Sequence, residues 1–210
     1  MTTPATLERR RLADALVEVG PDAPTLCEGW TARDLAAHVV LRDSRPDATP
    51  GAFVSKLAKY TEKVQSKIAS GDWADIVGTV RSGPPRWSPT RIDTVDRLVN
   101  TAEFFVHLED VRRAQPEWSP RELDPDLLDD LDSSFRRVAK LFSRKSPTGV
   151  TFEPDGRTAV IAKEAQPTVT ISGPVGELVL WIYGRQAHAQ VRYQGDPDAV
   201  ESVRNASLGI

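Results

Sequence analysis

The hydrophobic period of the chain changes in the stretch SRKSPTG, residues 143–149. Before it, apolar residues recur every three to four positions. After it, they come in short runs rich in Val, Ile and Thr. A period near 3.6 marks amphipathic helices, and short β-branched runs mark strands. The chain therefore reads as a helical region over residues 1–145 followed by a small α+β domain over residues 149–210. Its 210 residues accommodate two such regions, since domains start at about 50 residues.

Within the first region, residues 5–19 place Leu12, Ala15, Leu16 and Val19 on one face, and Gly20 stops the helix. The loop GPDAPTLCEGW leads into TARDLAAHVVLRDS. There Thr31 suits an N-cap, Asp34 its capping-box partner, and Trp30 with Leu35 a hydrophobic staple. Residues 51–69 repeat the pattern with Phe53, Leu57, Tyr60, Val64 and Ile68. The shorter DWADIVGTV precedes the proline-rich SGPPRWSPTR. Long helices follow over residues 93–114 and 125–143, the latter carrying Leu128, Leu131, Phe135, Val138 and Phe142. Long amphipathic helices joined by loops of varied length predict an antiparallel helix bundle.

In the second region, GVTFEP, TAVIAK and PTVTIS read as strands. GPVGELVLWIYG reads as a helix between Pro174 and Gly184, AQVRYQGD as a fourth strand and PDAVESVRNA as a last helix. The order β-β-β-α-β-α makes this part α+β, and the chain α+β overall.

Composition narrows the partners. A net charge of −3 and a pI near 5.7 do not supply the basic face of a general nucleic-acid binder. The longest apolar run, LVLWIY, is too short to span a bilayer. The opening MTTPATLERRRLADALVEVG is amphipathic and lacks the apolar core of a signal peptide. A single cysteine, Cys27, excludes an internal disulfide. These features predict a cytoplasmic protein without nucleic-acid or membrane partners.

The stretch EFFVHLED, residues 103–110, interrupts an otherwise apolar helix. Glu103, His107 and Asp110 fall on one stripe with Asn100, because residues three and four apart stack on a helix. Val95, Leu98, Val99, Ala102 and Val106 define a second stripe roughly 80–100° away, expected to be the buried one. On the shoulder of that face, a carboxylate and an imidazole form either a boundary ion pair or two ligands of a divalent metal. His38, in LAAHVV, points inward with Leu35 and Val39. It is either a core histidine bonded to a carbonyl or a third ligand from a facing helix, as in bundle metal sites. His38, Glu103 and His107 would supply two neutral donors and one negative one, leaving a coordination position open.

The motifs LCEGWTARDLAAHVV and EFFVHLEDVRRA resemble the mycothiol-dependent maleylpyruvate isomerase family, within the DinB-like metal-binding superfamily. The matching residues are Cys27, Gly29, Trp30, Asp34, Leu35 and His38, then Glu103, His107 and Asp110. The resemblance implies a DinB-like bundle with a divalent metal, usually zinc, on His38, Glu103 and His107. ISGPVGELVLWIYGRQAHAQVRYQGD is similar to the family's C-terminal domain, related to sterol-carrier-protein folds. RDSRPDA, after His38, is similar to a subgroup described only as metal-binding. The implied activity is transfer or isomerisation, with mycothiol as thiol cosubstrate and a small electrophile as substrate. Arg185 is the implied catalytic residue, an arginine that binds an anionic substrate. A metal-dependent hydrolase and a non-catalytic metal- or ligand-binding module are the alternatives.

The remaining marked residues carry further readings. Asp110 either orients a metal-bound histidine or pairs at the surface with a cation such as Arg113. Cys27 is a soft ligand or reactive thiol or, as expected, a buried structural thiol, and Arg185 is expected as a cation at a helix C-terminus. Arg42, one turn after His38, either reaches the site or lies, as expected, on an exposed face, and His188 is expected at the surface.

Overall fold

The computed structural model describes residues 2–45, 55–85, 87–88 and 91–206, with residues 55–57 described by backbone alone. The expected helical residues 51–54, the side chain of Leu57 and the PDA end of RDSRPDA lie outside these. The helices are α1 (Pro4–Val19), α2 (Ala32–Ser44), α3 (Ser55–Ala69), α4 (Trp73–Ser82), α5 (Asp93–Arg113), α6 (Pro125–Phe142), α7 (Val175–Ile182) and α8 (Pro197–Arg204). The strands are β1 (Gly149–Pro154), β2 (Val160–Lys163), β3 (Thr168–Gly173) and β4 (Arg192–Gln194). Among the described residues, no helix is long and apolar enough to cross a membrane.

Contacts divide the chain into two compact units, Met1–Arg121 and Glu122–Ile210. The division falls earlier than the change of period, because α6, expected to close the bundle, packs on α7 and β2 instead.

In the first unit α1 packs against α5, α4 and α2, and α2 packs against α3 and α4. Leu12, Leu16, Leu35, Val39, Phe104, Leu108 and Val111 share one core cluster. Each such side chain contributes about 1.5–3 kcal/mol on burial. Local signals set the helix ends. Thr3 caps α1 through the Thr6 amide, and Gly20 ends it at φ 81°, a left-handed conformation suited to glycine. Thr31 and Asp34 form the expected capping box.

The buried stripe of α5 differs from the expected one. Leu98 and Val99 are about half exposed, whereas Asp96 and Asn100 are buried. The cause is Arg9 on α1. It is itself buried, lies over the Phe104 ring at 4.4 Å and reaches Asp43 at 2.7 Å and Asp96 at 3.4 Å. Asn100 Nδ2 donates to Asp96 Oδ1 at 2.7 Å. A buried guanidinium requires facing carboxylates, so α5 turns its polar stripe inward. Two further buried carboxylates, Glu8 and Glu109, are both bound by Arg121, at 2.6 Å and 2.7 Å.

The second unit is a four-stranded sheet of order β2-β1-β3-β4. β1 pairs antiparallel with β2 and parallel with β3, and β3 pairs antiparallel with β4. Alternate residues of β3, Val169 and Ile171, are fully buried, as the two-residue period of a strand requires. Phe152 stacks edge-on against Phe135 of α6 at 5.0 Å and Trp181 of α7 at 5.5 Å. A Cβ at Gly149 would stand 2.1 Å from the Ala165 carbonyl oxygen, so only glycine fits where β1 begins.

Candidate metal centre

Helices α2 and α5 carry the site. The capping box fixes the start of α2, and the fully buried Leu35, Ala36 and Val39 hold its inner face. His38, flanked by these, turns inward with only 17% of its side chain exposed. On α5, Glu103 and His107 stand one turn apart on the inward polar stripe.

The three side chains converge. His107 Nε2 lies 2.9 Å from Glu103 Oε1, and His38 Nε2 lies 3.7 Å from the same oxygen. One ligand atom from each of His38, Glu103 and His107 falls within 4.8 Å of the others. The two imidazoles meet edge to face at 5.3 Å, and the Trp30 ring lies 5.1 Å from His38.

A second layer stands behind His107. Asp110 is fully buried, and its Oδ2 lies 3.0 Å from His107 Nδ1. The same oxygen accepts a hydrogen bond from Cys27 Sγ at 3.2 Å. The Asp110 carbonyl accepts the Leu26 amide at 3.0 Å, which ties the loop before α2 to α5. Asp110 is therefore not the surface partner of Arg113, whose side chain goes to Glu109 at 2.7 Å. Cys27 is partly buried rather than enclosed. Arg42, one turn after His38, is not on an exposed face. Its Nη1 lies 3.2 Å from Glu103 Oε1, though without hydrogen-bond geometry.

These neighbours set the protonation states. Burial of His38 lowers its pKa, with the hydrogen bond to Glu103 only partly opposing this. Burial works to raise the Glu103 pKa, but His107 and Arg42 outweigh it and hold the carboxyl well below its usual range. Burial works against a charged His107, yet Glu103, followed by hydrogen bonds to Asp110 and Cys27, holds its pKa well above the usual value. Without a metal, these shifts favour the ionised form of Glu103, the protonated form of His107 and the uncharged form of His38.

The donor set fits a divalent ion of the zinc class. Bonds of about 2.0–2.2 Å put ligand atoms roughly 3.3 Å apart around a tetrahedral ion, a value bracketed by the 2.9 Å and 3.7 Å separations. Cys27, His107 and Asp110 also bring ligand atoms within 4.8 Å of one another. There Asp110 faces His107 Nδ1 and Glu103 faces Nε2. An imidazole that ligates through one nitrogen carries its proton on the other, so Asp110 suits the outer partner.

Arg185 belongs to the second unit. It follows α7 and precedes a 3₁₀ turn over Gln186–His188. Its Nη1 donates to the Tyr183 carbonyl at 2.6 Å. His188, in that turn, is exposed, as expected. Of the groups around the site, sequence reasoning missed the bond from Cys27 to Asp110, and for Arg42 it favoured the exposed face over the reach to the site that the structure shows. The four-residue spacing from His38 to Arg42 was the available signal.

Residues 3–62 match the family model of the mycothiol maleylpyruvate isomerase N-terminal domain. That span contains Cys27 and His38 and ends before Glu103. Curated proteins give no match. Two solved structures resemble nearly the whole chain. A crystal structure of the mycothiol-dependent maleylpyruvate isomerase has 15% identity and a TM-score of 0.55. A crystal structure of a histidine-to-alanine mutant of that enzyme has 14% identity and a TM-score of 0.54. Each comparison covers 91% of this chain and 90% of the other. The family resemblance read from the motifs is thus borne out, and the fold, α+β overall as expected, is that of these isomerase structures.

Proposed function

We propose that His38, Glu103 and His107 bind one divalent metal ion, zinc by the chemistry of the donors, and that the protein is a mycothiol-dependent transferase or isomerase acting on a small electrophile. The observation that carries this reading is the convergence of three donor atoms from α2 and α5 within 4.8 Å. The family match over residues 3–62 supports the thiol dependence.

Each residue has a definable part. His38 is kept neutral by burial, so its Nε2 offers a lone pair. Glu103 is held ionised and contributes the negative donor. Asp110 accepts the Nδ1 proton of His107, which aims Nε2 toward Glu103. Cys27 donates to Asp110 and steadies that carboxylate. Trp30 covers one side of His38. A divalent ion held by three protein ligands supplies Lewis acidity, lowering the pKa of a thiol or water at its open position. In the second unit, Arg185 is the residue we assign to an anionic group of the substrate.

Metal analysis of the purified protein tests the centre. About one equivalent of divalent ion is expected in the wild type, and none in His38→Ala or His107→Ala. Full occupancy in both variants would overturn the ligand assignment. Cobalt-substituted protein titrated with mycothiol tests the activity class. A sulfur-to-cobalt charge-transfer band is expected. A spectrum unchanged at millimolar thiol rejects thiol chemistry and leaves a hydrolase or a binding module.

A further inference from the structure

We propose that the groove between β4 and α8 is a second binding site, which takes a small aromatic carboxylate through Arg204. The proposal goes beyond the metal reading and is independent of it, since every residue it uses belongs to the unit Glu122–Ile210.

Only Gly195 and Asp196 separate β4 from α8, so the helix turns back beside its strand and packs on β3. A cavity of about 610 Å³ opens between β4 and α8. Small-molecule sites commonly enclose about 300–1,000 Å³. Val191, Pro197 and Val200 give the groove apolar walls. Pro197, Val200 and Arg204 recur at three- and four-residue spacing, so one stripe of α8 faces it.

The cationic end of the groove stands on a fixed base. Trp181 is fully buried, and its Nε1 donates to the Tyr193 hydroxyl at 2.6 Å. The Arg204 guanidinium lies over the Tyr193 ring, 4.4 Å from its centroid. A guanidinium stacked on a ring keeps its fork of N–H donors at the edge, where a carboxylate accepts two parallel bonds. Among the described residues, no hydrogen bond or carboxylate engages the Arg204 side chain.

Two further charges line the cavity, Arg192 and Glu201. Arg192 is engaged by Asp155 at 2.9 Å. Glu201, three residues before Arg204, forms no ion pair with it and opposes an anion only through space, across exposed surface. Directed N–H bonds from Arg204 outweigh one such exposed charge. An aromatic acid meets both parts of the lining, its carboxylate at Arg204 and its ring at the apolar walls.

The test titrates the nitrogen-15-labelled full chain with benzoate and with benzyl alcohol, its neutral counterpart. Amide shifts report both the place and the dissociation constant. Benzoate should shift the amides of residues 191–204 and bind about tenfold more tightly than the alcohol, the size of one charge-assisted pair. Arg204→Gln should remove that preference and leave the affinity for the alcohol unchanged, while Arg204→Lys keeps part of it. Glu201→Gln should strengthen benzoate binding about two- to threefold. No shift at residues 191–204 with benzoate at about 20 mM, a concentration that reveals even millimolar affinity, overturns the site. Equal binding of acid and alcohol by the wild type, or a preference intact in Arg204→Gln, overturns the role of Arg204 and the proposal with it.

Discussion

Residues 1–121 and 122–210 bury different kinds of side chain. The bundle encloses Glu8, Arg9, Asp96, Asn100, His107, Glu109, Asp110 and Arg113 beside its apolar cluster. The sheet unit encloses Phe135, Val150, Phe152, Val169, Ile171, Leu178 and Trp181, with few buried charges, Glu177 and Asp132 among them. Buried ion pairs are expensive to desolvate, and apolar side chains of like volume often stabilise as well or better. Aromatic packing of the Phe135, Phe152 and Trp181 kind is directly stabilising. The polar interior of the bundle is thus poor as a source of stability. It is well suited to holding His38, Glu103 and His107 at fixed positions, because every carboxylate behind them already has a partner. In the sheet unit Glu177 accepts the Gln190 amide at 2.7 Å, Asp132 accepts Arg136 Nε at 2.9 Å, and the aromatic and aliphatic interior is packing.

The sharpest way to break this contrast is to open a cavity in the apolar unit. Phe152→Ala removes the ring that joins β1 to α6 and α7. A loss of about 3–5 kcal/mol is expected for a large buried aromatic. Denaturant unfolding followed by Trp181 fluorescence would measure it. A loss under about 1 kcal/mol would show that the sheet core is not the stabilising element.

A second test sets stability against metal affinity through pH. The metal-free His107 has a raised pKa, chiefly because Glu103 and Asp110 overcome the effect of burial. Its contribution to stability is complete below the ordinary value of 6.5 and is lost as pH rises through the raised value. The lowered pKa of Glu103 gives a contribution complete above its ordinary value of 4.5 and lost as pH falls through the lowered value. Between those ordinary values, both contributions are whole. A metal must displace the His107 proton, so affinity should rise about tenfold per pH unit until His107 deprotonates. Metal-free melting curves and chelator competition at pH 5 to 8 should therefore diverge above pH 6.5. Stability that climbs with affinity over that range would break the assignment of His107 as the protonated partner.

The contrast also decides what was legible in the sequence. Element order was readable throughout the second unit, because each strand and helix there is marked by its own turn residues and β-branched runs. The Thr31 capping box was readable for the same reason, since its two bonds span three residues. The burial of Asp96 and Asn100 was not. Hydrophobic periodicity assigns charged residues to the outside, and only the tertiary approach of Arg9 from α1 turns that stripe of α5 inward. The packing of α6 was hidden for a related reason: an apolar helical face does not specify whether it meets helices or a sheet. At the candidate site, Glu103 and His107 were visible as a four-residue pair. Their approach to His38 across 65 residues was one of two readings of an inward histidine until the family motif favoured it. Arg42 had the same spacing signal as His107 and carried both readings, the exposed one favoured, because a cation one turn from a candidate ligand has no local reason to turn inward.

The smallest expected effect separates folding from site assembly within the bundle itself. Thr31 Oγ1 accepts the Asp34 amide, and Asp34 Oδ2 accepts the Thr31 amide at 3.0 Å. Thr31→Ala removes one of these bonds and leaves an amide of the first turn without its cap, a loss of about 1 kcal/mol. His38 sits two turns further along α2, beyond the fraying of one turn and between the buried Leu35, Val39 and Leu41. Metal affinity in Thr31→Ala should therefore stay within about threefold of wild type while thermal stability falls by a few degrees. Calorimetric melting and competition with a chromophoric chelator give the two numbers on one preparation. If affinity drops in proportion to stability, the ligand positions depend on the intact helix start, and the rigid polar interior is not what holds His38 in place.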